Sequence, residues 1–336
     1  MNGRSRVADT GHAGAVTATA ARLARTRRRG DRYGDGVLHG LTAAASFIGV
    51  LVVAAIIWRV ADGAWPAIKV FHLGFIWHNE WNPVTSRFGA RDLIIGTVIT
   101  SLGAMLLAAP LSIAIGLFLS ELAPASVRGP VGTMIEMLAA VPSVVVGLWG
   151  IYVLAPFDAQ HVQPLLSSFL GWIPIFSHGQ DKIESTVFTA MIVLTIMTIP
   201  ITSSICRELF LGVPDELEEG AIGLGATRWE MVKTVVVPTV RGGIVAAVIL
   251  GLGRALGEAI AVTQVIGNFI PLKTSIFEPG DTLASRVANQ YQGAPSNLAV
   301  ASLIYLALIL LVITFITNVA AQRVVKRFEF QRTGGD

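Results

Sequence analysis

Residues 213–267, VPDELEEGAIGLGATRWEMVKTVVVPTVRGGIVAAVILGLGRALGEAIAVTQVIG, decide how the chain is read. They open on a polar, acidic turn (Pro214, Asp215, Glu216, Glu218, Glu219) and pass through three closely spaced glycines, Gly220, Gly223 and Gly225. After Val235-Val236-Val237-Pro238 comes an apolar run with two charges inside it, Arg254 and Glu258. A water-soluble surface segment therefore leads straight into a stretch apolar enough to leave water.

The rest of the chain decides which solvent that stretch enters. Hydrophobic residues make up 53% of the 336 and charged ones only 14%, with a mean hydropathy of +0.65. A soluble domain carries about 25% charge, so the deficit points to an all-α polytopic membrane protein. Cys206 is the single cysteine, which excludes an internal disulfide and any cysteine metal cluster. It falls in an apolar run and reads as a small packed side chain.

Six stretches approach or exceed the roughly 20 apolar residues a spanning helix needs: 38–60, 93–119, 131–155, 186–210, 243–269 and 298–321. Residues 1–37 are Arg-rich without hydrophobic period, which predicts a disordered tail inside the cell. Residues 38–92 comprise the first span and an aromatic external segment holding Trp65, Phe71, Phe75, Trp77 and Trp81, as expected at headgroup depth. Residues 93–322 form the core and 323–336 a second basic tail. With the N-terminus inside, 17 Lys and Arg lie in cytoplasmic segments, seven outside and Arg254 within the membrane. That bias predicts both termini in the cytoplasm. Residues 156–184 and 271–296 read as external loops, the second polar enough to meet an external partner.

Several chemistries are excluded. Residues 267–274 have phosphate-loop spacing, but Leu272 replaces the second glycine and would block the backbone cradle. His161 and His178 lack the clustering of metal ligands, and neither a Gly-x-Ser-x-Gly elbow nor a His-Glu-x-x-His helix occurs. No cofactor, no metal and no nucleic-acid partner is expected, and no catalysis. Energy must come from an ion gradient or another subunit.

The 211–242 segment lies inside by the charge bias and reads as a short helix. Early acids and the later Arg228, Lys233 and Arg241 complement its dipole. Its glycines suit a sharp turn or a closely packed partner. Glu219-Gly220-Ala221, three residues, Gly225, nine residues, then Val235-x-Val237-Pro238 resembles the EAA loop of ABC-importer permeases, with Gly220, Val235 and Val237 in place of Ala, Ile and Leu. The resemblance narrows to phosphate-specific permeases of the PstC type through Trp81-Asn82-Pro83, Phe88-Gly89-Ala90, the run from Pro142 to Gly150 and the run from Gly253 to Val262.

The resemblance implies a type I importer permease (MetI-like) with six transmembrane helices in the bacterial inner membrane. Its coupling loop of Glu219, Gly220, Ala221 and Gly225 would be seated on an ATPase. The implied partners are a second permease (PstA-like), ATPase subunits (PstB-like), an external phosphate-binding protein (PstS-like), inorganic phosphate and membrane lipid. Arg254, 11 residues past Gly243, lies about 16 Å along a helix, near the middle of a roughly 30 Å hydrocarbon layer. A charge there needs a polar path or a partner, and guanidinium suits an oxyanion. Arg254 and Glu258, at i and i+4, are expected on one helix face along the substrate pathway. A permease for sulfate or molybdate, or an ion-coupled secondary transporter, are the competing readings.

Overall fold

The computed structural model describes residues 29–177 and 183–333. Among them, six helices are long and apolar enough to cross a membrane: Gly36–Ile76, Arg91–Leu122, Ser143–Leu170, Val187–Leu211, Arg228–Gly257 and Asn297–Arg323. The number agrees with the sequence reading, and several boundaries move.

The chain divides into two compact units at Arg59 and Val60. The first holds the start of helix α1 (Arg29–Phe71), whose side chains from Val37 to Trp58 are exposed, including Leu51, Val52 and Ile56. An apolar helix exposed on all sides in a single chain belongs in lipid or against another membrane helix. The expected end of this span at Val60 is passed without a break, because Ala61, Ala64 and Ala67 are strong helix formers around the one proline, Pro66. Residues 29–37, expected in the tail, already begin α1; residues 1–28 lie outside the described residues.

The second unit starts with the remainder of α1. A two-stranded antiparallel hairpin follows, β1 (Trp81–Asn82) and β2 (Arg87–Phe88), with Trp81 opposite Phe88. Asn82 Oδ1 closes its turn by accepting from the Val84 and Thr85 amides at 3.0 and 3.2 Å. The aromatic segment splits in two. Trp65 and Trp77 remain exposed, as expected of interfacial rings, whereas Phe75 is buried and stacks on Tyr305 at 4.5 Å. Phe71 and Trp81 also pack into this core, so only part of the segment is free to meet headgroups.

Helix α2 (Arg91–Leu117) ends in a π-helical turn at Phe118–Leu122, and α3 (Ala125–Ala139) follows. The expected span 131–155 is interrupted at residues 140–142. Pro142 offers no amide and disfavours helical backbone at Val141, so a new helix starts after it. That helix, Ser143–Leu170, alternates α4 (Ser143–Trp149), α5 (Ala155–Phe157) and α6 (Gln163–Leu170) with π-helical turns at Gly150–Leu154 and Asp158–Val162. Residues 158–170, expected in a loop, are therefore helical. Asp158 is fully buried and accepts from Gln163 Nε2 at 3.0 Å and Thr189 Oγ1 at 2.8 Å, which ties this helix to α7 (Val187–Leu211). His161 stacks on Phe157, and His178 and Asp181 lie outside the described residues.

The remaining elements are α8 (Asp215–Gly223), α9 (Arg228–Met231), α10 (Val237–Gly257), α11 (Ile260–Val265), α12 (Leu283–Gln290) and α13 (Asn297–Thr333). A π-helical turn at Val232–Val236 fuses α9 to α10. The last helix runs past the expected end at Ala321 through most of the second basic tail. Helices α2 and α7 form the most extensive pair, and α10 lies against both and against α13. Buried threonines of α7 return their hydroxyls to the backbone, as in Thr195 to Met191 O and Thr198 to Leu194 O, both 2.7 Å. Cys206 is fully buried beside Phe210, Val236 and Ala247, as a small apolar side chain would be.

Candidate functional site

The loop between α7 and α10 folds as a helix–turn–helix. Pro214 starts α8 from extended backbone, and Asp215, Glu216 and Glu218 occupy the first turn, where the positive end of the helix dipole favours them. The helix closes with Leu224 N to Gly220 O at 3.1 Å, Gly225 N to Ile222 O at 2.9 Å and Ala226 N to Ala221 O at 3.1 Å. Gly225 has φ +91, so a residue without Cβ is required at this one position of the turn. Thr227 and Glu230 then form a reciprocal capping box that starts α9. Arg228, Lys233 and Arg241 were expected to complement the dipole of α8; they lie beyond its end, on α9, the π-helical turn and α10.

Glu219 and Gly220 are exposed, and among the described residues nothing outside the helix's own turn comes within 4 Å of a Cβ built at Gly220 or Gly223. Leu217, Leu224 (92% exposed) and Trp229 project from the same helix–turn–helix. We expect Gly225→Ala to strain the turn by about 1–2 kcal/mol. The readout is faster amide exchange across residues 220–228 with the spans unaffected. Unchanged exchange there would show that the turn does not depend on glycine.

The two membrane charges are arranged differently from the expectation. Helix α10 stops at Gly257, Glu258 is extended (φ −71, ψ 118), and α11 begins at Ile260. Arg254 and Glu258 therefore do not share a helix face. Glu258 turns its carboxylate onto the start of α11, where Oε1 accepts from the Ala261 amide at 3.4 Å. Arg254 sits in the last turn of α10, so each charge occupies the helix end that suits its sign. No ion pair joins them among the described residues, and Arg254 is exposed. Gly251 packs on Thr198 and Thr202 of α7, while Gly253 approaches Asn318 of α13. Close packing thus fixes α10 in place, and Arg254 stands exposed near its end. Non-helical backbone at membrane depth is stable only where it is buried in protein or lines a polar path.

A second polar assembly, missed by sequence reasoning, anchors the segment that follows. The expected open loop at 271–296 is instead folded onto the core from Ser275 to Arg286. Asp281 and Arg286 form an ion pair at 2.6 Å with side chains 1% and 7% exposed. Burial pushes the Asp281 carboxyl above its ordinary value and the Arg286 guanidinium below its own. The guanidinium also lies over the Trp81 ring, 5.8 Å from its centroid, and Trp81 Nε1 donates to Gln290 Oε1 at 2.7 Å. Asp92 Oδ2 accepts from the Leu272 amide at 3.0 Å, and Thr97 Oγ1 from the Leu283 amide at 2.9 Å. Gly96 meets the Asp281 carbonyl so closely that a Cβ has no room. Thr282, which caps α12, was the readable signal for a helix here. Among the described residues no group of three His, Cys, Asp or Glu is placed to hold a metal.

Comparison with known proteins accounts for this architecture. Residues 112–330 match the model of the binding-protein-dependent transport system inner membrane component. The phosphate transport system permease protein PstC of Pasteurella multocida is 43% identical over 83% of this chain and 88% of its own length. The Mesorhizobium japonicum protein of the same name is 41% identical over 89% and 92%. PstC 2 of Mycobacterium tuberculosis is 37% identical over 89% and 93%. Among solved structures, a chain of the MetNI methionine ABC transporter aligns with TM-score 0.52 at 15% identity, covering 71% of this chain and 95% of that one. A chain of a bacterial alginate ABC transporter, in complex with a periplasmic protein, aligns with TM-score 0.55 at 20% identity, covering 88% and 98%. Six helices apolar enough to cross a membrane, a helix–turn–helix with EAA-like spacing and a family match over most of its length place this chain in the family of binding-protein-dependent transport system inner membrane components, with PstC permeases among its relatives.

Proposed function

We propose that this chain is the permease subunit of an ATP-driven importer of inorganic phosphate. The observation that carries this reading is identity of 37–43%, over most of both chains, with phosphate permeases from separate bacteria. The chain supplies half of the pathway, and a second, PstA-like permease completes it. PstB-like ATPase subunits hold the α8–α9 element through Glu219, Gly220, Ala221 and Gly225; Glu219, Gly220 and Gly225 are exposed and leave room for a partner's backbone, while Ala221, half-buried against the Phe210 core, seats the helix on the spans. A PstS-like binding protein delivers phosphate at the opposite end, where the hairpin and α12 lie. Both termini and α8 face the cytoplasm, in keeping with the excess of Lys and Arg on that side.

Arg254 is the phosphate-facing group of this half. Its charge is permanent, its fork matches phosphate oxygens, and no ion-pair partner for it occurs among the described residues. Glu258 holds the start of α11 and with it the break that lets Arg254 face the pathway. ATP hydrolysis takes place on the partner, so the chain's own groups bind and release without breaking a bond.

The test is purification in mild detergent followed by reconstitution. An ATPase and a second six-span chain should co-purify, and the vesicles should accumulate labelled phosphate when ATP and a phosphate-loaded binding protein are supplied. Accumulation of sulfate or molybdate in its place would overturn the substrate. Repeated absence of an ATPase from the purified complex would overturn the class.

A further inference from the structure

The π-helical turn Asp158–Val162 brings two polar side chains together in the helix Ser143–Leu170. On a regular α-helix, residues five apart point about 140° away from one another. Here the Gln163 amide closes the π-turn on the Asp158 carbonyl, and Gln163 Nε2 donates to Asp158 Oδ2 at 3.0 Å. Thr189 Oγ1 of α7 donates to the same oxygen at 2.8 Å. Asp158, Gln163 and Thr189 are each 0% exposed. Two atoms of this cluster are left over: Asp158 Oδ1 and Gln163 Oε1 are buried, and neither has a partner.

An ionised carboxylate only accepts, and so does an amide oxygen. With Asp158 ionised, both oxygens would stay unpaired, each losing its water without replacement. Exchanging the oxygen and nitrogen ends of the amide does not help, because it would set Oε1 against Oδ2 at 3.0 Å, acceptor to acceptor. Nor does a cation hold the charge. On the same helix, His161 is exposed and stacks on Phe157. Ahead of α7, Glu184 is exposed and offers its carbonyl to Thr189 Oγ1 at 3.2 Å. Glu278 gives its carbonyl to the Val187 amide and its carboxylate to Lys273 at 2.9 Å. Among the described residues no ion pair reaches Asp158. One proton on Oδ1 answers all of this: it neutralises the carboxyl and supplies the donor that Gln163 Oε1 lacks.

We propose that Asp158 keeps its proton at neutral pH and forms, with Gln163, an acid–amide clasp that positions the helix Ser143–Leu170 on α7. Oδ1–H donates to Gln163 Oε1, Nε2–H donates to Oδ2, and Thr189 ties the clasp to α7. Asp158 and Gln163 are positioning residues, since the helix they hold is pressed against the segment that follows Arg254. A Cβ at Gly147 would come within 2.5 Å of Gln264 Oε1 and 3.0 Å of the Ala261 Cα, both on α11. One at Gly150 would meet Val265 at 2.9 Å and Val193 at 3.0 Å. These contacts leave no room for the helix to slide, so a register set at Asp158 is passed to α11, whose start Glu258 caps. The protonation stands apart from the transport reading; only the uptake measurement relies on it.

Infrared spectroscopy of the purified complex at neutral pH, joined to phosphate uptake after reconstitution, tests the clasp. The difference spectrum between wild type and D158N should contain the C=O band of a protonated carboxylic acid shielded from water. In Q163L that band should move to higher frequency, because its O–H has lost its acceptor. The asparagine of D158N offers an oxygen to Gln163 Nε2 and Thr189 and an N–H to Gln163 Oε1, so uptake should stay within about twofold of wild type. D158L can make none of these bonds and should lower uptake by about tenfold or more. An ionised carboxylate signal in place of the acid band, or a band unmoved in Q163L, would overturn the clasp. So would D158N that assembles yet loses uptake, since the charge itself would then be needed, or D158L with wild-type uptake. Should D158L or Q163L fail to assemble, the acid band and D158N decide. Absence of any ATP-driven phosphate uptake in wild type would instead count against the transport reading, and the infrared band would still judge the protonation.

Discussion

Arg254→Gln should lower ATP-driven phosphate uptake by at least about 10- to 100-fold, because charge-assisted hydrogen bonds of about 1.5–3 kcal/mol are lost with the guanidinium. The complex itself should assemble normally. Glutamine keeps a polar though shorter side chain, and Arg254 is exposed without an ion-pair partner among the described residues, so no buried group is orphaned. Arg254→Lys should fall between the two, retaining the charge but losing the planar fork. Glu258→Gln separates two roles for the neighbouring acid. As a cap on α11 it is partly replaced by an amide oxygen, so uptake should drop only severalfold, about 1 kcal/mol in terms of a lost capping bond. Uptake abolished by Glu258→Gln to the same extent as by Arg254→Gln would mean that its charge acts on the substrate directly. Near-normal uptake in Arg254→Gln would remove the arginine from the pathway.

The contrast between these two residues shows what was readable in the sequence. Four of the apolar stretches (38–60, 93–119, 186–210 and 298–321), the acidic start of α8 and the turn at Gly225 are local signals, and each reappears as a local structure, whereas 131–155 is broken at 140–142 and 243–269 after Gly257. The break after Gly257 has no such signal. Gly253 and Gly257 are ordinary in membrane helices, no proline marks the site, and the i,i+4 spacing of Arg254 and Glu258 invites a continuous helix. What ends α10 is tertiary. Gly251 fits against Thr198 and Thr202, α11 turns to pack on α4 and α7, and the Glu258 carboxylate caps the new start. The same holds for Ser143–Leu170, whose polar Asp158 reads as the start of a loop until Gln163 and Thr189 are placed against it. Partners 31 residues apart in sequence are invisible to a periodicity argument.

The Asp281–Arg286 pair carries the largest expected effect on stability. Removing one member, as in Arg286→Met, leaves a carboxylate 1% exposed without its cation and should cost about 3–5 kcal/mol. The thermal midpoint of the purified complex should fall, and proteolysis should open the segment around α12. Removing both members is a different experiment. Burial displaces the two groups in opposite directions, each toward its neutral form, so desolvation outweighs the attraction between them. An apolar pair of similar volume, Asp281→Leu with Arg286→Met, should then recover most of the loss. Full recovery is not expected, because the guanidinium also lies over Trp81 and that contact is worth about 0.5–2 kcal/mol. A double variant as unstable as Arg286→Met would mean that the charges add stability outright. A stable double variant with poor uptake would mean that the pair is kept to fix α12 against α2 and the Trp81 hairpin. The bond from the Leu283 amide to Thr97 and the missing Cβ at Gly96 set the same register. We expect the second outcome, since three independent contacts hold one short helix where the proposed binding protein would meet the chain.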